Sequence, residues 1–197
     1  MDIVVATNNP GKVREIKNIL YPHNVMSQSE IGVDIDVEET GETFLDNAFL
    51  KARAIKPHTQ CAVIADDSGL MVDYLNGEPG VYTARYAGEN TTPMQGIEKL
   101  LKNLEGVPTE NRSAQFVSVI ALIMPDGTEY SFDGKCEGYI TNILMGENGF
   151  GFDPVFFYPP LAKTFAELTD EEKNKVSHRS AALSKLSDFL GNQGIEL

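Results

Sequence analysis

Apolar residues recur along this chain with two spacings, and the switch from one to the other marks the elements. "DIVVA" at residues 2–6 predicts a buried strand. "TNNPGK" then turns the chain into a helix, with Asn9 placed to cap it and Pro10 at its first position. Val13, Ile16, Ile19 and Leu20 give that helix one apolar face. "GVDIDVEETGETF" alternates Val33, Ile35 and Val37 with Asp34, Asp36 and Glu38, the pattern of a half-buried strand with an acidic face. Thr43, three residues before Asp46, carries a capping signature. The helix after it sets Leu45, Ala48, Phe49, Ala52 and Ile55 on one side, with Asn47 and Lys51 as i, i+4 neighbours on another.

"AVIA" at 62–65 predicts a short buried strand that ends at Asp66 and Asp67. "NGEPG" at 76–80 is a turn cluster, and 93–104 reads as a helix through Ile97, Leu100, Leu101 and Leu104. "SAQFVSVIALIM" is a long strand that "PDG" at 125–127 turns back into "TEYSFDG". "GENGFGFDP" is a glycine-rich loop, and "TDEE" at 169–172 is the capping box of a short helix. The last helix presents Ala182, Leu183, Leu186, Phe189 and Leu190. Helices and strands mix, with at least one hairpin. The expected fold class is α/β, a mixed twisted sheet with flanking helices.

Composition narrows the partners. The 197 residues fit one domain or one compact two-lobed unit, and 42% hydrophobic content supports a sizeable core. A net charge of -13 argues against nucleic acid and anionic membranes, which need a cationic face. It leaves room for a small phosphorylated ligand, which needs only local positive charge or a metal. Cys61 and Cys136 have neither zinc nor disulfide spacing and read as two reduced thiols of a cytosolic protein. "MDIVVATNN" has no basic n-region, and no run approaches the roughly 18 apolar residues of a membrane span. A soluble, cytoplasmic protein is expected. His23 and His58 read as surface residues.

Four segments carry polar residues that packing alone does not need. At "TNNPGK", Thr7, Asn8 and Asn9 sit at a strand-to-helix junction with Lys12 one turn on, where outward N–H groups favour anions. It is not a Walker loop, and taken alone an ordinary helix cap explains it slightly better. At "VEET" and "ADDSG", Glu38 or Glu39 and Asp66 or Asp67 close separate strands. Carboxylates converging from two strands make a hard oxygen site suited to Mg²⁺, and adjacent acids raise one another's pKa toward that of a base. At "GFGFDP", glycines beside Phe150 let backbone approach a flat ligand; Phe150 or Phe152 could stack on a base, and Asp153 accept from its edge. At "KNKVSHR", Lys173, His178 and Arg179 cluster near the start of the last helix, which Ser177 can cap. Together these suit a nucleotide and phosphoryl chemistry.

The motifs "TNNPGK", "EETGETFLDNAFLKA", "ADDSGLMVDYLNGEPGVYTARYAG", "GFGFDP" and "SHRSAAL" stand in one order along the chain. In that order the chain resembles, nearly end to end, the non-canonical purine nucleoside triphosphate pyrophosphatases, also called inosine triphosphate or dITP/XTP pyrophosphatases. The resemblance implies an Mg²⁺-dependent enzyme that cuts ITP, dITP or XTP to monophosphate and pyrophosphate. It implies a two-lobed α/β homodimer with the nucleotide in a central cleft, one such domain spanning residues 1–197. By motif, Thr7, Asn8, Asn9, Pro10, Gly11 and Lys12 resemble triphosphate contacts, helped by Lys51. Asp67 resembles the general base and a metal ligand, and Glu38 or Glu39 the second ligand, with strand alternation favouring Glu38. Ser68 resembles a substrate contact. Phe150, Gly151, Phe152, Asp153, Lys173, His178 and Arg179 resemble the base pocket. Phe152 departs from the tyrosine more usual there, so a hydroxyl is lost. Two alternatives stand beside this reading: a haloacid-type phosphatase built on the Asp34–Asp36 pair, and a nucleotide sensor without turnover.

Overall fold

The computed structural model describes residues 1–192. Its strands are β1 (Asp2–Val5), β2 (Asn24–Ser27), β3 (Ala62–Val72), β4 (Ser113–Ile123), β5 (Glu129–Ile140), β6 (Phe156–Tyr158) and β7 (Lys163–Thr164). Its α-helices are α1 (Pro10–Ile19), α2 (Phe44–Ile55), α3 (Pro93–Asn103), α4 (Asp170–Val176) and α5 (His178–Asn192). The strands join one sheet in the order β2-β1-β3-β4-β5-β6-β7. β1 pairs parallel with β2 and β3, whereas β5–β6 and β6–β7 are antiparallel, so the sheet is mixed as its sequence predicts.

The chain forms two compact units. The first comprises Met1–Asp67, Ser118–Gly134 and the chain from Arg179 onward; the second comprises Ser68–Val117 and Lys135–His178. β3, β4 and β5 each contribute residues to both.

In the first unit, strand alternation sends successive residues to different helices. Ile3, Val5 and Ile64 meet Ile16 of α1, Leu20 just beyond its end, and Ala182, Leu183, Leu186 and Leu190 of α5. Val4, Val63 and Ala65 meet Ala48, Ala52 and Ile55 of α2. Each fully buried Ile or Leu on these faces contributes about 1.5–3 kcal/mol. The second unit encloses Leu70, Val72, Ile97, Leu100, Leu104, Phe116, Phe152, Phe156 and Phe165. Thr169 and Glu172 form the expected capping box on α4, and Thr92 and Gln95 form a further one on α3.

Four expectations fail, each for a physical reason. Residues 33–38 form no strand. Val33 and Ile35 pack on the core while Asp34, Asp36 and Glu38 are exposed, because alternating burial needs only an extended backbone and not a ladder partner. Gln28 holds the segment instead, donating from Nε2 to Ile35 O at 2.7 Å and accepting from Val33 N–H at 2.9 Å. β3 does not stop at the two acids but runs on to Val72, since Leu70 and Val72 are core residues of the second unit. Leu45 is exposed, lying in the first turn of α2 ahead of the stretch that packs on the sheet. His23 is buried, because Asn24 N–H bonds Met1 O at 3.0 Å and brings the preceding residue beside the start of β1.

Candidate functional site

The "TNNPGK" loop leaves β1 and enters α1. Asn9 caps the helix, its Oδ1 accepting from Gly11 N–H at 2.9 Å and Lys12 N–H at 3.1 Å, while its own N–H donates to Thr7 Oγ1 at 3.2 Å. Pro10 takes the first helical position. Asn8 is exposed, so its side chain is available to a ligand. A cavity of about 510 Å³ opens beside the loop, bounded by Thr7, Asn8, Arg14, Lys17, Ser27 and Ser29. Lys12 and Asp67 are not among its lining residues; Lys12 reaches Asp66 on β3.

There the two adjacent acids divide their roles. Asp66 is a cation anchor. Its Oδ2 accepts from Lys12 Nζ at 2.7 Å and Arg179 Nη2 at 3.1 Å, and its Oδ1 from Ser118 Oγ at 2.5 Å. Burial alone would raise its pKa, but the Arg179 and Lys12 charges outweigh it and hold the carboxyl well below the usual range. Arg179 also pairs with Glu15, a buried residue of α1.

Asp67 faces a different group. Lys51 Nζ, on α2, donates to Asp67 Oδ1 at 2.9 Å, Glu39 Oε1 at 2.8 Å and Asp66 O at 2.9 Å. That uses all three ammonium protons. Burial pushes Asp67 above the ordinary carboxylate value; Lys51 opposes the shift and Glu39 adds to it. Lys51 is itself raised: burial disfavours its charge, and the Asp67 and Glu39 carboxylates more than compensate. Asp67 Oδ2 is buried with no hydrogen-bond partner among the described residues. Glu38 is exposed, whereas half-buried Glu39 joins Asp67 through Lys51.

This donor set fits a hard divalent cation. Two carboxylates share one ammonium, and one of them presents an oxygen that lacks a partner. Mg²⁺ is commonly held by one or two carboxylates with phosphate oxygens completing its shell. Among the described residues no three His, Cys, Asp or Glu side chains gather into a larger metal-holding group.

The second unit holds a separate arrangement. Lys173 Nζ meets Asp153 Oδ2 at 2.7 Å, both side chains being buried, and lies 4.6 Å from the Phe150 ring centre. Asp153 Oδ2 also accepts from Phe150 N–H at 2.8 Å, so one carboxylate fixes both the loop backbone and the cation over the ring. Gly149 must be glycine: its φ is +76°, and a Cβ there would lie 2.0 Å from Asp153 Oδ2. Gly151, at φ +60°, has open space around it. Phe152 is a core residue, edge-on to Tyr86, with its ring tip against Gly96. His178 is buried and stacks on Phe116 at 4.7 Å. Ser68 is half-buried directly after Asp67.

The sequence pattern of the Ham1 family matches residues 3–189. This chain belongs to the Ham1 family. It is 51% identical over 192 residues to a Thermoanaerobacter protein named dITP/XTP pyrophosphatase, with 96% of each chain covered. It is 51% identical to a Bacillus licheniformis protein of the same name, covering 96% of this chain and 97% of that one. The solved Staphylococcus aureus Ham1 protein superposes with a TM-score of 0.87 at 48% identity, covering 98% of this chain and 100% of that one.

Within this Ham1 chain, sequence reasoning assigned no role to Glu15, Ser118 or Asn47. Glu15 stands three residues after Lys12 on α1, which places it near the loop, but its partner Arg179 is 164 residues away and spacing cannot reveal that pairing. The phosphatase alternative loses its site, since Asp34 and Asp36 are exposed on an irregular segment.

Proposed function

We propose that this chain hydrolyses dITP, ITP and XTP to the nucleoside monophosphate and pyrophosphate with Mg²⁺, as a cytoplasmic homodimer that clears non-standard purines from the nucleotide pool. The names of its relatives support the reaction. The observation that carries the reading is Asp67: a buried carboxylate with a raised pKa, one oxygen on Lys51 and the other without a partner.

Asp67 and Glu39 would hold the cation, and Mg²⁺ bound there would neutralise the triphosphate and polarise the linkage to be cut. The raised pKa keeps Asp67 basic enough to orient a water and take its proton. Lys12 and Lys51 offset charge on the departing pyrophosphate. The Thr7 and Asn8 side chains at the start of α1 hold the phosphates. In the second unit, Phe150 under Lys173 offers a flat face for a purine, Asp153 holds the loop, and His178 and Ser68 complete the contacts. Arg179, clamped by Glu15 and Asp66, is a preorganised donor for a 6-oxo group, which hypoxanthine and xanthine carry and adenine lacks.

The test is a release panel over dITP, ITP, XTP, GTP and ATP, with and without Mg²⁺. Pyrophosphate from the first three, dependent on the metal, is expected. Inorganic phosphate in its place, or binding without turnover, overturns the reading.

A further inference from the structure

The acidic segment that carries Glu39 has no ladder to hold it, yet Glu39 reaches Lys51 at 2.8 Å. Besides the Gln28 contacts at Val33 and Ile35, two contacts hold its far end. Thr40 N–H bonds Glu38 O at 3.1 Å, closing a three-residue turn with Glu39 at its tip. One residue beyond the turn, Gly41 N–H donates to Asn47 Oδ1 at 2.7 Å. Asn47 is fully buried on α2, one turn before Lys51. The approach is so close that a Cβ on Gly41 would lie 2.6 Å from Asn47 Oδ1 and from Asp46 Cβ, and 2.9 Å from Asn47 N.

We propose that Asn47 is a positioning residue for the cation site: it pins the backbone at Gly41 so that Glu39 stands opposite Asp67 on the shared Lys51. The inference rests on the proposed function, in which Asp67 and Glu39 hold the cation. Asn47 touches neither substrate nor metal; it acts through Glu39. Its Oδ1 does the positioning. Its Nδ2 is buried with no hydrogen-bond partner among the described residues, which lowers rather than raises stability. Asn47→Leu therefore removes an unsatisfied donor together with the acceptor, and the variant is expected to fold.

Buried partners that orient a metal ligand typically change metal affinity by about 10–100-fold. Mn²⁺ titrated into the purified chain without nucleotide, read from the free-ion electron paramagnetic signal, gives affinity without activity. Asn47→Leu is expected to weaken Mn²⁺ binding about 10-fold or more. Asn47→Asp keeps an acceptor for Gly41 N–H and is expected to restore most of it. Gly41→Ala, which blocks the same contact from the loop side, is expected to copy the leucine variant. Unchanged Mn²⁺ affinity in a folded Asn47→Leu chain overturns the positioning role and leaves the proposed reaction standing. A parent chain that binds no Mn²⁺ overturns the cation site itself, and this inference with it.

Discussion

Lys12 and Arg179 meet on one oxygen of Asp66, at 2.7 and 3.1 Å. Lys12 stands on α1 and Arg179 in the first turn of α5, so strand β3 ties together two helices that are far apart in sequence. Asp67, the next residue, turns to Lys51 on α2. Strand alternation makes this division possible: two neighbouring acids point to opposite faces, and each finds its own cations. Asp66 organises positive charge, while Asp67 keeps one buried oxygen without a hydrogen-bond partner among the described residues.

Removing the Asp66 charge takes a shared carboxylate from half-buried Lys12 and buried Arg179. Asp66→Asn is expected to destabilise the fold by about 3–5 kcal/mol, the usual cost of breaking a buried pair from one side. The folded pKa of Asp66 lies well below its ordinary value of 3.8. Its stabilisation is therefore complete above that value and lost as pH falls through the folded one. Urea denaturation at neutral and acid pH checks both points: the parent loses stability below about pH 4, and the variant's curve is flatter there. Equal curves for parent and variant would show that Asp66 holds nothing.

Asp67 behaves oppositely. Its raised pKa means the folded state binds its proton more tightly than the unfolded chain does. That contribution is present at low pH and lost as pH rises through the folded value, so the ionised form adds no stability at neutrality. Asp67→Asn is expected to keep the fold within about 1 kcal/mol of the parent while kcat falls by about 10²–10⁴. In the parent, kcat/KM is expected to drop on the acid side at a pH above the ordinary aspartate range. A fully active variant, or an acid limb that survives the substitution, would assign the base elsewhere.

Much of the fold was legible. The cap at Asn9, the capping box at Thr169, and the helical faces of α1 and α5 rest on local spacing, and local spacing is what a sequence displays. The length of β3 was not, because two acids inside an apolar run look like its end; only partners distant in sequence make them tolerable in the middle of a buried strand. The same limit hides the choice between Glu38 and Glu39. Alternation favours Glu38, but the turn at Thr40 breaks the extended geometry on which alternation depends, and Glu39 is the one that reaches Lys51. Phe152 was legible as an aromatic; the neighbours that place it in the core, Tyr86 and Gly96, come from elsewhere in the chain.

Gly149 tests the loop of the second unit. At φ +76° alanine is strained, and its Cβ would sit 2.0 Å from the Asp153 oxygen that binds Phe150 N–H and Lys173. Gly149→Ala is expected to cost at least about 1 kcal/mol and to raise KM for dITP more than it lowers kcat, because it displaces binding groups rather than the base. Thermal unfolding and steady-state kinetics check this. An unchanged melting temperature would mean that the loop relaxes at no cost.

The Asp153–Lys173 pair decides whether that loop is held by charge or by shape. Both side chains are buried, so removing one takes a charge partner from the other in a poorly solvating interior. Lys173→Met is expected to destabilise by about 3–5 kcal/mol, since the Asp153 carboxylate then keeps only the Phe150 N–H of the two contacts on its Oδ2. Adding Asp153→Asn removes the stranded charge and keeps an acceptor for that N–H. The double variant is accordingly expected to be more stable than Lys173→Met alone, with a coupling of about 0.5–3 kcal/mol in a double-mutant cycle. KM for dITP should still exceed that of the parent, because the cation above Phe150 is gone. Additive losses in urea would show that the two side chains act independently, and the loop would then owe its shape to Gly149 and the packing of Phe152.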